Sequence, residues 1–275
     1  MRVRSGFVDF GASDVPLKSG ELQKLGLIQF PVVIGGVVVV TNLDGVGLGQ
    51  LKLTGEIVSD IYLGNIQNWS DPALKAINPD LKLPDARIAL VHRSDGSGTT
   101  YNFTNYLSKV SPQWRETVGS DLLVKWPSGT GAKGNDGISR ALRNTKNSIG
   151  YVEYAHAVQT RLSYAAIRNS AGQFVVPAPE RFQAAAAGAE WSKTGDFDLL
   201  IVDAPGADSY PLVVTVFAQM QKSIAPGRAR DTLNFFRWSL EKGARDASDL
   251  GYVPLPEQLV IQVKQYWAKN FKTGT

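Results

Sequence analysis

The 275-residue chain contains no cysteine, which excludes disulfides and thiolate metal centres and permits an oxidising compartment without requiring one. Histidine is almost as scarce. His92 and His156 are the only two, and neither falls in a His-x-x-x-His or comparable ligand spacing. A metal site would have to be built from carboxylates alone, so no metal and no cofactor is expected. Long hydrophobic runs are missing as well. No stretch reaches the ~18 consecutive apolar residues of a membrane span. The nearest, Phe30 to Val40, is broken by Pro31, Gly35 and Gly36 and is expected to be a buried strand with a bend. Dense basic runs are also absent. The 29 basic and 25 acidic residues are scattered, and no basic stripe with interleaved aromatics argues for nucleic acid. Met1-Arg2-Val3-Arg4 passes straight into Ser5 and Gly6 with no apolar h-region, so no signal peptide is expected.

What remains is an ordinary globular composition, 43% hydrophobic and 20% charged, in a chain long enough for one large domain or two lobes. Apolar β-rich runs alternate with helical patterns, which argues for α/β layering. Strands are expected at Val8–Gly11, Ile28–Val33, Val37–Asn42, Arg87–Val91, Leu122–Lys125, Ile149–Val152, Leu199–Val202 and Leu212–Phe217. Helices are expected at Thr99–Val110, Gly137–Arg143, Arg181–Ala189, Arg228–Leu240 and Pro256–Phe271. Shorter helices fit within Leu53–Tyr62 and from Asp71-Pro72 towards Asn78.

The segment with most chemistry is His92-Arg93-Ser94-Asp95-Gly96-Ser97-Gly98-Thr99-Thr100-Tyr101-Asn102-Phe103. It follows a strand-like run and leads into a helix, because Phe103, Tyr106, Leu107 and Val110 fall on one helical face. Small and hydroxyl residues therefore sit at a helix N-terminus, with its free N–H groups and positive dipole end. Arg93 adds a planar fork suited to oxyanions, and Asp95 an acceptor able to orient it. This is the chemistry of an anion cradle, although a plain capped turn satisfies the same local pattern. No Lys-Ser or Lys-Thr follows the glycines, so it is not a Walker loop, and Ser97 lacks the Gly-x-Ser-x-Gly frame of a nucleophile elbow.

A second cluster holds a formal G-x-G-x-x-G at Gly129, Gly131 and Gly134, with Glu153 19 residues beyond. That is the outline of a dinucleotide fingerprint, but Pro127 stands between the expected strand and the glycines, and the motif alone is weak. Asp14 closes Asp9-Phe10-Gly11-Ala12-Ser13 just before Val15-Pro16. It reads either as a turn aspartate or as a carboxylate aimed into a cleft.

Taken together, these stretches resemble the phosphate-binding protein of the bacterial ABC phosphate importer. The resemblance rests on Val8–Asp14, Gln29–Val37, Asp60–Gly64, Asn78–Pro84, Asp95–Thr99, Lys133–Gly137 and Ile149–Tyr154, in one order over nearly the whole chain. It implies an α/β fold of the two-lobed periplasmic-binding-protein kind (type II), each lobe an α/β sandwich. By that likeness residues 1–34 and 210–275 form the first lobe and residues 35–209 the second. The family's phosphate ligands carry over as Asp14, Arg93, Ser97, Gly98 and Thr99, with Asp95 orienting Arg93. The implied partners are inorganic phosphate and the importer's permease subunits, with no nucleic acid, and the implied state is a periplasmic monomer that is not an enzyme.

The physics fits that transfer. Phosphate at neutral pH keeps a proton that sulfate lacks, and a desolvated Asp14 carboxylate can accept its hydrogen bond. A site built around one required hydrogen bond rejects an analogue without it by about 10⁴–10⁵-fold. The chain departs from the family before Val8, where a Thr-Phe-Pro-type loop, a glycine-serine loop and the first strands of the outer lobe have no counterpart. The expectation is an N-terminally truncated product with an incomplete first lobe and weak or absent phosphate binding, which sub-micromolar affinity would refute. A phosphatase or nucleotide-dependent enzyme using the glycine loops is the alternative, as is a phosphate-responsive structural protein. An enzyme would need a nucleophile, base or metal set that the two histidines do not supply.

Overall fold

The computed structural model describes residues 3–271; residues 1–2 and 272–275, the outer ends of the expected first lobe, lie outside the described residues. The chain opens with β1 (Phe10–Ser13), α1 (Ser19–Leu25) and β2 (Leu27–Asn42), then β3 (Lys52–Leu53), α2 (Gly55–Leu63) and α3 (Pro72–Ile77). Next come β4 (Ala89–Arg93), α4 (Gly98–Val110), α5 (Pro112–Thr117), β5 (Thr130–Ala132) and α6 (Gly134–Asn144). They are followed by β6 (Ser148–Glu153), α7 (Tyr154–Gln159), β7 (Ser163–Tyr164), β8 (Ala166–Arg168), β9 (Phe174–Val175) and α8 (Pro179–Ala187). After a 3-10 turn at Trp191–Lys193, β10 (Val213–Gln221), α9 (Pro226–Lys242), α10 (Ala244–Asp249) and α11 (Glu257–Asn270) complete the fold.

One sheet of order β1-β10-β2-β6-β4-β5 organises this α/β fold, with β7 also pairing β2; β3, β8 and β9 form a second, small sheet. The expected pair of strands at 28–33 and 37–42 is in fact one 16-residue strand. Its first half, residues 27–36, pairs antiparallel with β10, and its second half, residues 37–42, with β6. The interruption predicted from Pro31 survives as a register shift between Val216 and Phe217, opposite Val33 and Pro31. A proline has no N–H for the ladder, and a bulge absorbs it.

Both faces of β2 are covered, which is why Val37, Val38, Val39 and Val40 form an unbroken apolar run with no exposure. Around the first half, Phe30 meets Phe236 of α9 and Trp267 of α11 edge-on, each with ring centroids 5.1 Å apart. Beside the second half, Phe103 of α4 stacks on Tyr151 of β6 at 4.2 Å, and Tyr62 of α2 packs against Phe103 at 5.0 Å. These apolar residues belong to one cluster that runs through both halves of the sheet.

Two strand expectations fail. Leu122–Lys125 is irregular: Leu122 and Leu123 are exposed, and the Leu122 carbonyl accepts the Ser97 N–H at 2.9 Å instead of a ladder bond. Leu199–Val202 is irregular too, although Ile201 and Val202 are buried. The Val202 carbonyl is taken by Lys109 Nζ at 2.7 Å, so burial there comes without sheet pairing.

The middle of β2 depends on glycine. A Cβ on Gly36 would lie 2.5–2.9 Å from ring atoms of Phe182, which is itself fully buried. Gly36→Ala is expected to destabilise the chain by about 1–3 kcal/mol through overpacking. A lowered Tm that Phe182→Leu partly restores would check it; an unchanged Tm would refute it.

Candidate functional site

Ser97 is the N-cap of α4, and its Oγ accepts the Thr100 N–H at 3.3 Å. Its hydroxyl hydrogen remains available to donate. The next two residues, Gly98 and Thr99, open the helix, and their N–H groups have no acceptor among the described residues. Ser97 and Thr99 are both buried, and Gly98 is partly buried. Free donors at the positive end of a 13-residue helix favour a negative group beside them.

Arg93, at the end of β4, is 8% exposed. Its Nε and Nη2 donate to Oδ1 and Oδ2 of Asp95 at 2.8 and 2.6 Å, a fork-to-carboxylate pair. Asp95 Oδ1 also accepts the Gly134 N–H at 3.0 Å, which ties the pair to the start of α6. The Arg93 hydrogen bonds, with that backbone N–H and the guanidinium charge assisting, hold the Asp95 carboxyl well below the usual carboxylate range against its partial burial. Burial alone would lower the Arg93 pKa, but the hydrogen bond and charge of Asp95 outweigh it and raise it. The result is a permanently charged, rigidly oriented guanidinium. Gly134, which the dinucleotide outline needed for a ligand, serves this pair, while Gly131 lies within edge strand β5 rather than in a strand-to-helix turn. The nucleotide reading loses its geometry.

Asp14 comes from the loop after β1 and packs directly onto the helix start. An ideal Cβ on Gly98 would lie 2.6 Å from both Cβ and Oδ2 of Asp14. Asn102, one turn into α4, donates from Nδ2 to the Asp14 carbonyl at 2.9 Å and to the Gly98 carbonyl at 3.0 Å, fixing the two segments together. No hydrogen bond reaches the Asp14 carboxylate among the described residues, and burial, reinforced by the nearby Glu153 charge, pushes its pKa up to about 6 against the pull of Arg93. Asp14 is thus a carboxylate held ready to share a proton.

The structure therefore brings Asp14, Ser97, Gly98 and Thr99 together, with the Arg93–Asp95 pair close enough for the Arg93 charge to act on Asp14. Two further residues escaped the sequence reading: Glu153, considered there only for its distance from the glycines, and Tyr252. With Asp14, Thr99, Gly35 and Gly36 they line one small cavity of about 10 Å³. Nothing local marks Tyr252, which reaches the site only through the tertiary fold. A larger cavity of about 500 Å³, lined among others by Gln67, Arg87, Leu90 and Thr145, includes neither Asp14 nor Arg93. Cavity size does not locate this chemistry; charge and free N–H groups do.

A family model described as a PBP superfamily domain matches residues 1–241. The phosphate-binding protein PstS of Xylella fastidiosa (strain 9a5c) is 50% identical over 272 residues, covering 98% of this chain and 75% of that protein. PstS of Pasteurella multocida (strain Pm70) is 46% identical over 268 residues, covering 97% and 78%. Among solved structures, a high-affinity periplasmic phosphate-binding protein (PfluDING) bound with phosphate aligns with a TM-score of 0.72 at 20% identity, covering 94% of this chain and 78% of that one. An ABC-type phosphate transport receptor from Vibrio cholerae aligns at 0.60 and 17%, covering 93% and 83%. At such identities these two structures speak to the fold alone.

Proposed function

The chain belongs to the PstS family of phosphate-binding proteins within the PBP superfamily, and from that premise we propose that it binds inorganic phosphate. One observation carries the reading. Asp14, a proton acceptor, lies against Gly98 at the donor-rich start of α4. The opposing charges of this site suit an anion that arrives with a proton of its own.

In this reading the Gly98 and Thr99 N–H groups, the Ser97 and Thr99 hydroxyls and the Arg93 guanidinium donate to phosphate oxygens. Asp14 accepts the phosphate O–H, and Asp95 keeps Arg93 in its fork geometry. Apart from the two aspartates, these groups offer donors to any tetrahedral oxyanion. Selectivity for phosphate over sulfate then rests on the one acceptor, because sulfate presents only lone pairs to it.

The proposed first lobe is residues 1–34 with 210–275, and the second is residues 35–209. The change of β2's partner from β10 to β6 at Gly36–Val37 supports placing the boundary there. Closure of the lobes would remove water and strengthen each contact. The chain would act as a monomeric, periplasmic receptor that hands phosphate to an ABC-type permease, with no reaction of its own. Titration calorimetry of the 275-residue chain, carried into the millimolar range, is expected to give saturable heat with phosphate and none with sulfate. Absence of phosphate heat, or equal response to sulfate, would overturn the reading. A sub-micromolar Kd would overturn only the expectation of weak binding.

A further inference from the structure

One side of α6 is spent on the core and the other is not. Ile138 and Leu142 are fully buried among apolar neighbours. Asp136, Ser139, Arg140 and Arg143 fall at i, i+3, i+4 and i+7 and form a polar stripe along the same helix. With His156 of α7 and Thr160 at its C-terminal end, that stripe lines a cavity of about 350 Å³. None of these residues lines the small cavity of Asp14 and Thr99.

The walls of this cavity carry polar groups that the protein itself leaves unpaired. Ser139 is 3% exposed, yet its hydroxyl makes no hydrogen bond among the described residues. The same holds for Nε2 of His156, a buried atom that stands 3.6 Å from Asp136 Oδ1, too far for a hydrogen bond. The Arg140 guanidinium has no hydrogen-bond or ion-pair partner among the described residues. Arg143 is fixed instead, since its Nη2 donates to the Thr160 carbonyl and ties α6 to the end of α7. The Thr160 hydroxyl is already committed to the His156 carbonyl at 2.6 Å. Buried polar atoms are nearly always paired with protein, water or a ligand, so a hydroxyl and an imidazole nitrogen left over on one cavity point to an occupant.

We propose that the cavity between α6 and α7 is a second binding site, which takes a small molecule bearing an oxyanion group, phosphate or carboxylate. The unpaired groups decide that class. Both guanidinium groups are donors only, and the Ser139 hydroxyl has its hydrogen free. His156 Nε2 joins them in the tautomer that carries its proton there. Two guanidinium charges stand against one carboxylate, Asp136, whose side chain is 90% exposed. The lining is therefore net positive and rich in donors, and a negatively charged acceptor complements both properties. Water satisfies Ser139 and His156 singly but brings no charge to the arginines. This site is separate from the proposed phosphate cleft and does not depend on that reading.

The scarcity of histidine supplies the readout. Imidazole NMR of the 275-residue chain holds only the His92 and His156 signals, and His92→Gln assigns them. Pyrophosphate and citrate, a phosphate-type and a carboxylate-type probe, are titrated into the millimolar range at matched ionic strength. At least one is expected to move the His156 signals saturably, and the stronger of the two identifies the oxyanion the site prefers. Arg140→Gln should weaken that response about tenfold. Ser139→Ala should weaken it without lowering the Tm, because the lost hydroxyl pairs with nothing in the ligand-free chain. Asp136→Asn should strengthen it by removing the one opposing charge. No saturable shift with either probe, or the same shift with sodium chloride, overturns the proposal. An Arg140→Gln chain that responds as strongly as wild type overturns it as well. So does the reverse order, with Asp136→Asn weakening and Arg140→Gln strengthening the response, which would mark a cation site.

Discussion

Asp14→Asn is expected to raise the stability of the chain at neutral pH while it degrades the selectivity of the site. Asp14 is partly buried and its carboxylate has no hydrogen-bond donor among the described residues, so its pKa rises from 3.8 to about 6. The folded chain therefore holds this proton more tightly than the unfolded one, and stability falls as pH rises from the lower value through the higher. Above the folded pKa the whole cost is present, and below the unfolded pKa it is gone. A shift of this size corresponds to about 3 kcal/mol, which residual solvent contact reduces to about 1–3. Asn has the same shape without the charge. At pH 8 the variant should melt about 3–10 °C higher, and the gap should close as pH falls below 4.

The same substitution keeps an amide oxygen able to accept the phosphate proton, so phosphate affinity should fall by tenfold or less. Its amide nitrogen can instead donate to an oxyanion without a proton, so sulfate should begin to compete. Thermal melts from pH 3.5 to 8, together with sulfate competition, check both halves. A variant that is less stable than wild type at pH 8, or that still excludes sulfate, would contradict this account of Asp14.

Gly98→Ala is expected to abolish measurable anion binding. Alanine at the first position of a helix normally helps, because it gives up less backbone entropy than glycine. Here the new Cβ would sit 2.6 Å from Cβ and Oδ2 of Asp14, closer than such atoms approach. Asp14 cannot simply swing away, because Asn102 holds its carbonyl at 2.9 Å. Either the loop after β1 lifts or α4 shifts, and a displacement near 1 Å costs about 100-fold in a site of fixed geometry. Overpacking adds about 1–3 kcal/mol of destabilisation. Phosphate titration and a melting curve measure the two effects. The double variant Gly98→Ala, Asp14→Gly should recover the Tm without recovering selectivity, since it removes both clashing atoms. Full phosphate affinity in Gly98→Ala alone would show that Asp14 and Gly98 do not meet in the working site.

Local physics was legible along the chain wherever a feature is made by neighbours in sequence. The helix expected over Thr99–Val110 followed from apolar spacing, and the structure starts it one residue earlier, at Gly98, with Ser97 as its cap. The Arg93–Asp95 fork spans two residues and could be anticipated as a pair. Shorter or longer elements were not resolved. The two- and three-residue strands β3, β5, β8 and β9 are too brief for periodicity, and Gly35 and Gly36 split one continuous strand into two expectations. Leu122–Lys125 has strand-like composition, but its leucines point to solvent and its backbone serves Ser97.

The sequence by itself determined a donor-rich helix start, because N–H groups at a helix N-terminus and a hydroxyl cap are properties of adjacent residues. The likeness to a known family proposed Asp14 as its partner. Only the tertiary structure decided that Asp14 lies against Gly98, and that Tyr252, 99 residues from Glu153, grips it across the middle of β2. Those contacts depend on the order in which β1, β10, β2 and β6 pair, and no local pattern of residues encodes that order. The donors at the start of α4 are local chemistry, whereas the carboxylate set against them is placed by long-range strand pairing.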